Sequence, residues 1–160
     1  MTTEKGEVVI PPQLLGHKLG TATYTIIDPT VRKALTDAGQ DFSVSVRDGS
    51  YEFPPSSLLT HYDTVRVDTS RIAYGDLNGD DIPDALIPVT VGTDEKATVE
   101  LAAFTASGSS VRQFAAFPLG QATVKTFSIT KGKIRVNFTH MLAGDPGPRN
   151  TELQLELPRK

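Results

Sequence analysis

The chain has no cysteine, no tryptophan and only three histidines among its 160 residues. Without cysteine there is no disulfide framework, no thiolate nucleophile and no thiolate metal site. That absence fits the cytosol and a cysteine-free envelope protein equally well. His17, His61 and His140 are scattered without metal-ligand spacing, and the sequence contains no G-x-S-x-G elbow, H-E-x-x-H pair or P-loop. Each histidine reads as structural or solvated. No apolar run is long enough to span a bilayer, and no signal-like apolar block follows Met1. A basic surplus is missing as well: the formal net charge is −3, the pI is near 5.6, and the seven Phe and four Tyr are not interleaved with arginine clusters. Nucleic acid is therefore disfavoured as a partner. What remains, 38% hydrophobic and 22% charged, is ordinary for one globular domain long enough to bury a core.

Against that plain background one stretch stands out. Residues 75–86 read Gly-Asp-Leu-Asn-Gly-Asp-Asp-Ile-Pro-Asp-Ala-Leu. Asp76, Asn78 and Asp80 take the first, third and fifth places of a D-x-[DN]-x-[DN] pattern, Ile82 offers its carbonyl at the seventh, and Asp84 sits at the ninth. Alternate side chains on a curling loop point to one side, so four oxygen-bearing side chains and one carbonyl can surround a hard cation. Calcium suits that irregular all-oxygen set; magnesium demands a tighter octahedron, and zinc would call for His or Cys. The plainer reading is an Asx-rich turn closed by its own backbone bonds. Three carboxylates crowded on one short loop repel one another without a counter-ion, which favours the metal.

The loop is not an EF-hand. Its sixth position, normally Gly, is Asp81, and its twelfth, where the bidentate Glu belongs, is Ile87. Asp is one of the few non-Gly residues that visit the left-handed region, so the turn survives with Asp81 facing solvent. After Asp84 comes Ala-Leu-Ile-Pro-Val-Thr-Val, a β-branched run without helical period. This loop leading into a strand resembles the D-x-[DN]-x-D-G-x-x-D loops of FG-GAP and VCBS-type repeat proteins, mostly extracellular or envelope proteins of β architecture. The wider order Asp-Gly-Ser-Tyr-Glu-Phe, then the loop, then Val-Glu-Leu-Ala-Ala-Phe, then Lys-Gly-Lys-Ile-Arg-Val-Asn-Phe-Thr-His, resembles small bacterial envelope proteins and lipoproteins with a single such loop. The resemblance covers about the last two thirds of the chain and implies calcium and an envelope setting, without implying an activity. The aspartate motif occurs once, so a propeller of repeats is not expected.

In chain order, residues 1–20 read as a mobile or extended N-terminal segment, with 1–6 mobile and 7–12 extended up to Pro11 and Pro12. Residues 21–160 read as a single mainly-β domain. Residues 21–27 alternate as a strand, and Asp28-Pro29 then opens a short helix that runs through Ala38 to Gly39, with Val31, Ala34, Leu35 and Ala38 as its apolar stripe. Residues 41–46 and 51–53 form the clearest hairpin, around Arg47-Asp48-Gly49-Ser50. An extended pair within 63–74 leads into the metal loop, which joins two strands. Hairpins follow: 85–91, 97–106, 111–118, then 122–129 against 133–139 across Thr130-Lys131-Gly132, and a last strand at 151–157 bearing Leu153, Leu155 and Leu157. Between the last two lies a Pro- and Gly-rich loop, 143–150. The fold class is α+β leaning to all-β, built of antiparallel hairpins with one or two short helices; periodicity leaves sandwich and barrel open.

Candidate sites outside the loop are few. His140, Asp145 and Arg149, around the Pro- and Gly-rich loop, are a possible surface site. Glu100 lies in an apolar strand, where a carboxylate of raised pKa is one reading and outward placement by alternation is the favoured one. The leading expectation is a calcium-stabilised, non-enzymatic envelope or secreted domain that binds a protein or glycan. The competing one is a hydrolase with a structural calcium and a catalytic surface carboxylate. Met1 is either the natural start or the start of a mature segment without its signal or anchor. The second is favoured, because weak calcium sites, with dissociation constants of about 10⁻⁴ to 10⁻³ M, fill where calcium is millimolar.

Overall fold

The computed structural model describes residues 10–59, 61–93, 96–140 and 149–156. It is mostly antiparallel β with short helical pieces, and its sheets are open rather than closed into a barrel. A 3₁₀ turn at Pro12–Leu14 and α1 (Gly16–Leu19) precede β1 (Thr23–Thr25), α2 (Pro29–Asp37), β2 (Ser43–Ser45) and β3 (Ser50–Glu52). A second 3₁₀ turn at Ser57–Leu59 leads to β4 (Thr64–Val67) and β5 (Ala73–Gly75). Then come β6 (Asp84–Val91), β7 (Thr98–Ser107), β8 (Ser110–Gly120), β9 (Ala122–Thr130), β10 (Lys133–His140) and β11 (Arg149–Glu156). β1 pairs with β2; a six-stranded sheet runs β3-β4-β6-β7-β8 with β5 also paired to β6; and β9, β10 and β11 form a separate three-stranded sheet. Among the described residues, no helix is long and apolar enough to cross a membrane.

The six-stranded sheet is covered on both faces. Ala85, Ile87, Val89 and Val91 of β6, with Ala102 and Phe104 of β7, pack into one cluster with Leu14, Leu19, Tyr24, Val31, Leu35 and Val65. Leu86 of β6 and Val99, Leu101 and Ala103 of β7 point the other way, into a second cluster with Val124, Ile134, Val136 and Phe138 of the three-stranded sheet. Two buried faces explain why β6 and β7 read as continuous apolar runs. α2 begins as expected: Asp28 Oδ1 accepts from the N–H groups of Thr30 (2.9 Å) and Val31 (3.1 Å), and Pro29 occupies the first turn.

Three expectations are corrected. The described part of the N-terminal segment is helical and packed rather than extended, because Leu14 and Leu19 fill the first cluster and are fully buried. Residues 1–9 lie outside the described residues. The hairpin expected between residues 41–46 and 51–53 does not form as a ladder. Asp48 (φ 51°) and Gly49 (φ 76°) do make the tight turn, yet only Arg47 and Ser50 bridge across it; β2 pairs with β1 and β3 with β4. The turn passes the chain from one sheet to another. Finally, β11 starts at Arg149, so the irregular loop ends earlier than its composition implies.

The three-stranded sheet, a third layer after the N-terminal elements and the six-stranded sheet, is tied to the six-stranded sheet beside the aspartate loop. β5 and β6 pair with Gly75 opposite Asp84, so residues 76–83 connect two adjacent antiparallel strands, as expected. Gly75 also lies against Ile129 of β9: a Cβ there would lie 2.5 Å from Ile129 Cγ2 and 2.9 Å from its Cβ. A side chain at residue 75 would push β9 away.

Candidate metal centre

The loop holds its shape through its own carboxylates. Asp76 Oδ1 accepts from the Gly79 (2.8 Å) and Asp80 (3.3 Å) N–H groups and its Oδ2 from Asp81 N–H (2.8 Å). Asn78 Oδ1 accepts from Asp80 N–H (3.2 Å), and Asp80 Oδ1 from Ile82 N–H (3.0 Å). These are Asx-type bonds of the kind the plainer reading requires. They curl the loop so that one carboxylate oxygen each from Asp76, Asp80 and Asp84 lies within 4.8 Å of the others, close enough for the three to share one ion. Asn78 and Ile82 lie between them in the chain, Asn78 exposed and the Ile82 side chain 42% exposed.

Asp84 is unlike its neighbours, being fully buried at the start of β6. Its Oδ2 accepts from Leu77 N–H (2.8 Å) and Asn78 N–H (3.2 Å), while its Oδ1 is buried with no hydrogen-bond partner. The Thr105 side chain of β7 stands beside Asp84 and favours its charged form. Burial raises the Asp84 pKa above the usual carboxylate range; the Leu77 amide, Thr105 and the Asn78 amide oppose the shift, and the charge of Asp80 adds to it. A buried carboxylate oxygen without a donor is costly in a folded protein, and the three gathered carboxylates could share a metal ion. Backbone turn bonds account for every other oxygen contact here; they do not account for this one.

Asp81 is exposed, and its φ of 63° is left-handed, as anticipated for a residue standing where a loop of this type uses Gly. Asp81→Gly is expected to relieve that strain, stabilising the loop by about 0.5–1 kcal/mol and tightening calcium binding. Calorimetric titration of the variant checks the sign: weaker binding would make Asp81 a ligand rather than a strained spacer.

The second candidate region is only partly described. The register sets His140, closing β10, opposite Arg149, opening β11, while Asp145 and the rest of 141–148 lie outside the described residues. Glu100 corrects the expectation that it faces outward. It is 2% exposed, and its carboxylate accepts from Ile27 N–H (3.2 Å to Oε2, 3.3 Å to Oε1) and Asp28 N–H (3.2 Å to Oε1). Its pKa is raised to about 7, first by burial and then by the nearby Asp28 charge, against the two amides and Arg32. A proton-transfer group needs access to a substrate; Glu100 is sealed between β7 and the β1–α2 junction and ties them together. The sequence signal for this role was present in the apolar flanks on both sides, Val99 and Leu101.

Leu77 is the loop residue that spacing passes over. Between two oxygen-bearing positions it reads as a spacer, yet it is buried in the cluster formed with the three-stranded sheet. Comparison with protein-family models, curated proteins and solved structures found no match to the chain.

Proposed function

We propose that this protein is a calcium-stabilised, non-enzymatic envelope or secreted domain that presents its β surface to a protein or glycan. The gathering of one carboxylate oxygen each from Asp76, Asp80 and the buried Asp84 within 4.8 Å carries the reading, because three like charges so close are relieved by a shared cation. The donors are all oxygen, which suits calcium, with Asn78 and the Ile82 carbonyl completing the set. Three carboxylates neutralise a divalent ion, and calcium-bound water is too weakly polarised to yield hydroxide at neutral pH, so the ion braces the entry to β6 rather than acting on a substrate. The likeness of the loop to FG-GAP and VCBS-type loops supports the envelope setting, where millimolar calcium fills weak sites.

Calorimetric titration with calcium, and with magnesium as comparison, tests the site directly. Heat saturating in the micromolar-to-millimolar range for calcium and much less for magnesium is the expected result; no calcium heat removes the assignment. The bracing role has its own test. Folded Asp80→Ala, assayed at low temperature against a glycan panel, is expected to keep the binding that the wild type shows. Binding abolished while the fold persists would make the loop the ligand site itself.

A further inference from the structure

We propose that an ion in the Asp76, Asp80 and Asp84 cluster controls how firmly the three-stranded sheet β9–β11 is seated on the rest of the protein. The inference rests on the metal reading and extends it from the loop to a whole layer. Three observations place the loop in the joint between the layers. Asp84, one of the three gathered carboxylates, accepts from the Leu77 amide through Oδ2, and the Leu77 side chain is buried with Val124, Ile134, Val136 and Phe138 of β9 and β10. Gly75, one residue before Asp76, lies against Ile129, leaving no room for a side chain there. The β9–β10 turn lies over the loop, so that a Cβ on Gly132 would stand 3.6 Å from the Asp76 carbonyl oxygen. On both sides of the first ligand, then, the loop is in contact with the third layer.

The physical consequence is a linkage. Without an ion, three carboxylates repel and one buried oxygen is unpaired, so openings that splay the loop are favoured, and each such opening releases Leu77 and the floor beneath Ile129. An ion bound only when the loop is closed penalises those openings by the factor 1 + [L]/Kd. β1 and β2 lie on the opposite face of the six-stranded sheet, in the other cluster, and open without disturbing the loop.

Hydrogen exchange of the full chain, with and without calcium, tests this. At calcium ten times its calorimetric Kd, amides of β9 and β10 are expected to exchange about elevenfold more slowly, while those of β1 and β2 change little. In Leu77→Ala, which leaves every ligand in place, calcium should still bind but lose most of its effect on β9 and β10. Ile129→Ala, at a less buried position, gives the same test if Leu77→Ala does not fold. Calcium heat with slowing confined to residues 76–84, slowing uniform across all strands, or unchanged slowing in a variant that binds calcium, each overturns the coupling and leaves the site standing. No calcium heat overturns both.

Discussion

On the proposed function, calcium at a hundredfold excess over its Kd is expected to stabilise the protein by about 2.7 kcal/mol, by binding the folded loop and not the unfolded chain. For a chain of this length that corresponds to a melting temperature about 5–10 °C higher, with magnesium giving much less. Substitutions at Asp84 separate the ion from the turn. Asp84→Ala removes the acceptor for Leu77 and Asn78 N–H, and is expected to cost about 2–4 kcal/mol in chelator, besides abolishing the calcium response. Asp84→Asn keeps a carbonyl oxygen for those amides and replaces the orphaned oxygen by an amide donor. In chelator this variant should match or exceed the wild type, while losing the response to calcium. Thermal unfolding of the three proteins in calcium and in chelator decides the matter. A wild-type melting temperature that is the same in both would remove the ion; an Asp84→Asn variant that still responds would remove Asp84 as a ligand.

The second large effect is a loss of stability between pH 5 and pH 8 that originates at Glu100. Its pKa is raised in the folded protein from an ordinary glutamate's 4.5 to about 7. A raised carboxyl pKa means the folded state holds the proton more tightly than the unfolded state. The corresponding stabilisation is fully present below pH 4.5 and is lost as pH rises through 7. Between pH 5 and pH 8 the loss from this group is about 2–3 kcal/mol, and because Glu100 is only 2% exposed, solvent does little to screen it. Other groups titrate too, so the measurement is a difference. Urea unfolding of the wild type and Glu100→Gln at both pH values, in chelator, should show the variant gaining on the wild type by that amount on going to pH 8. Gln retains a carbonyl oxygen for the Ile27 and Asp28 amides while never ionising. A wild type that gains on the variant at pH 8 would mean that the two amides and Arg32 outweigh burial and hold Glu100 as an anion.

Glu100 also marks where sequence reasoning stops. Alternation assigns faces to strands, and it assigned Glu100 to the face opposite Val99 and Leu101. What alternation cannot say is whether that face meets water. Here it meets β1 and the start of α2, which come from the other end of the chain, and their unpaired N–H groups at Ile27 and Asp28 are what the carboxylate satisfies. The N-terminal residues 12–19 were misread for the same reason. Prolines and a short apolar pair are weak local signals, and the helical turns there are held by the cluster that Leu14 and Leu19 enter.

Features fixed by chemistry within a few residues were legible from the sequence by itself. The Asp28 cap, the end of α2 near Gly39, the tight turns at Asp48-Gly49 and Lys131-Gly132, the left-handed Asp81 and the gathering of Asp76, Asp80 and Asp84 all follow from side chains acting on backbone two to seven positions away, or from a left-handed φ. Only the tertiary structure decided which strands pair across the Asp48-Gly49 turn, that the six-stranded sheet is covered on both faces, that Asp84 Oδ1 is sealed without a donor, and that Leu77 and Gly75 join the loop to β9 and β10. Those outcomes depend on which distant segments compete to cover the same apolar surface. The hydrophobic effect that drives them has no direction and leaves no spacing in the sequence.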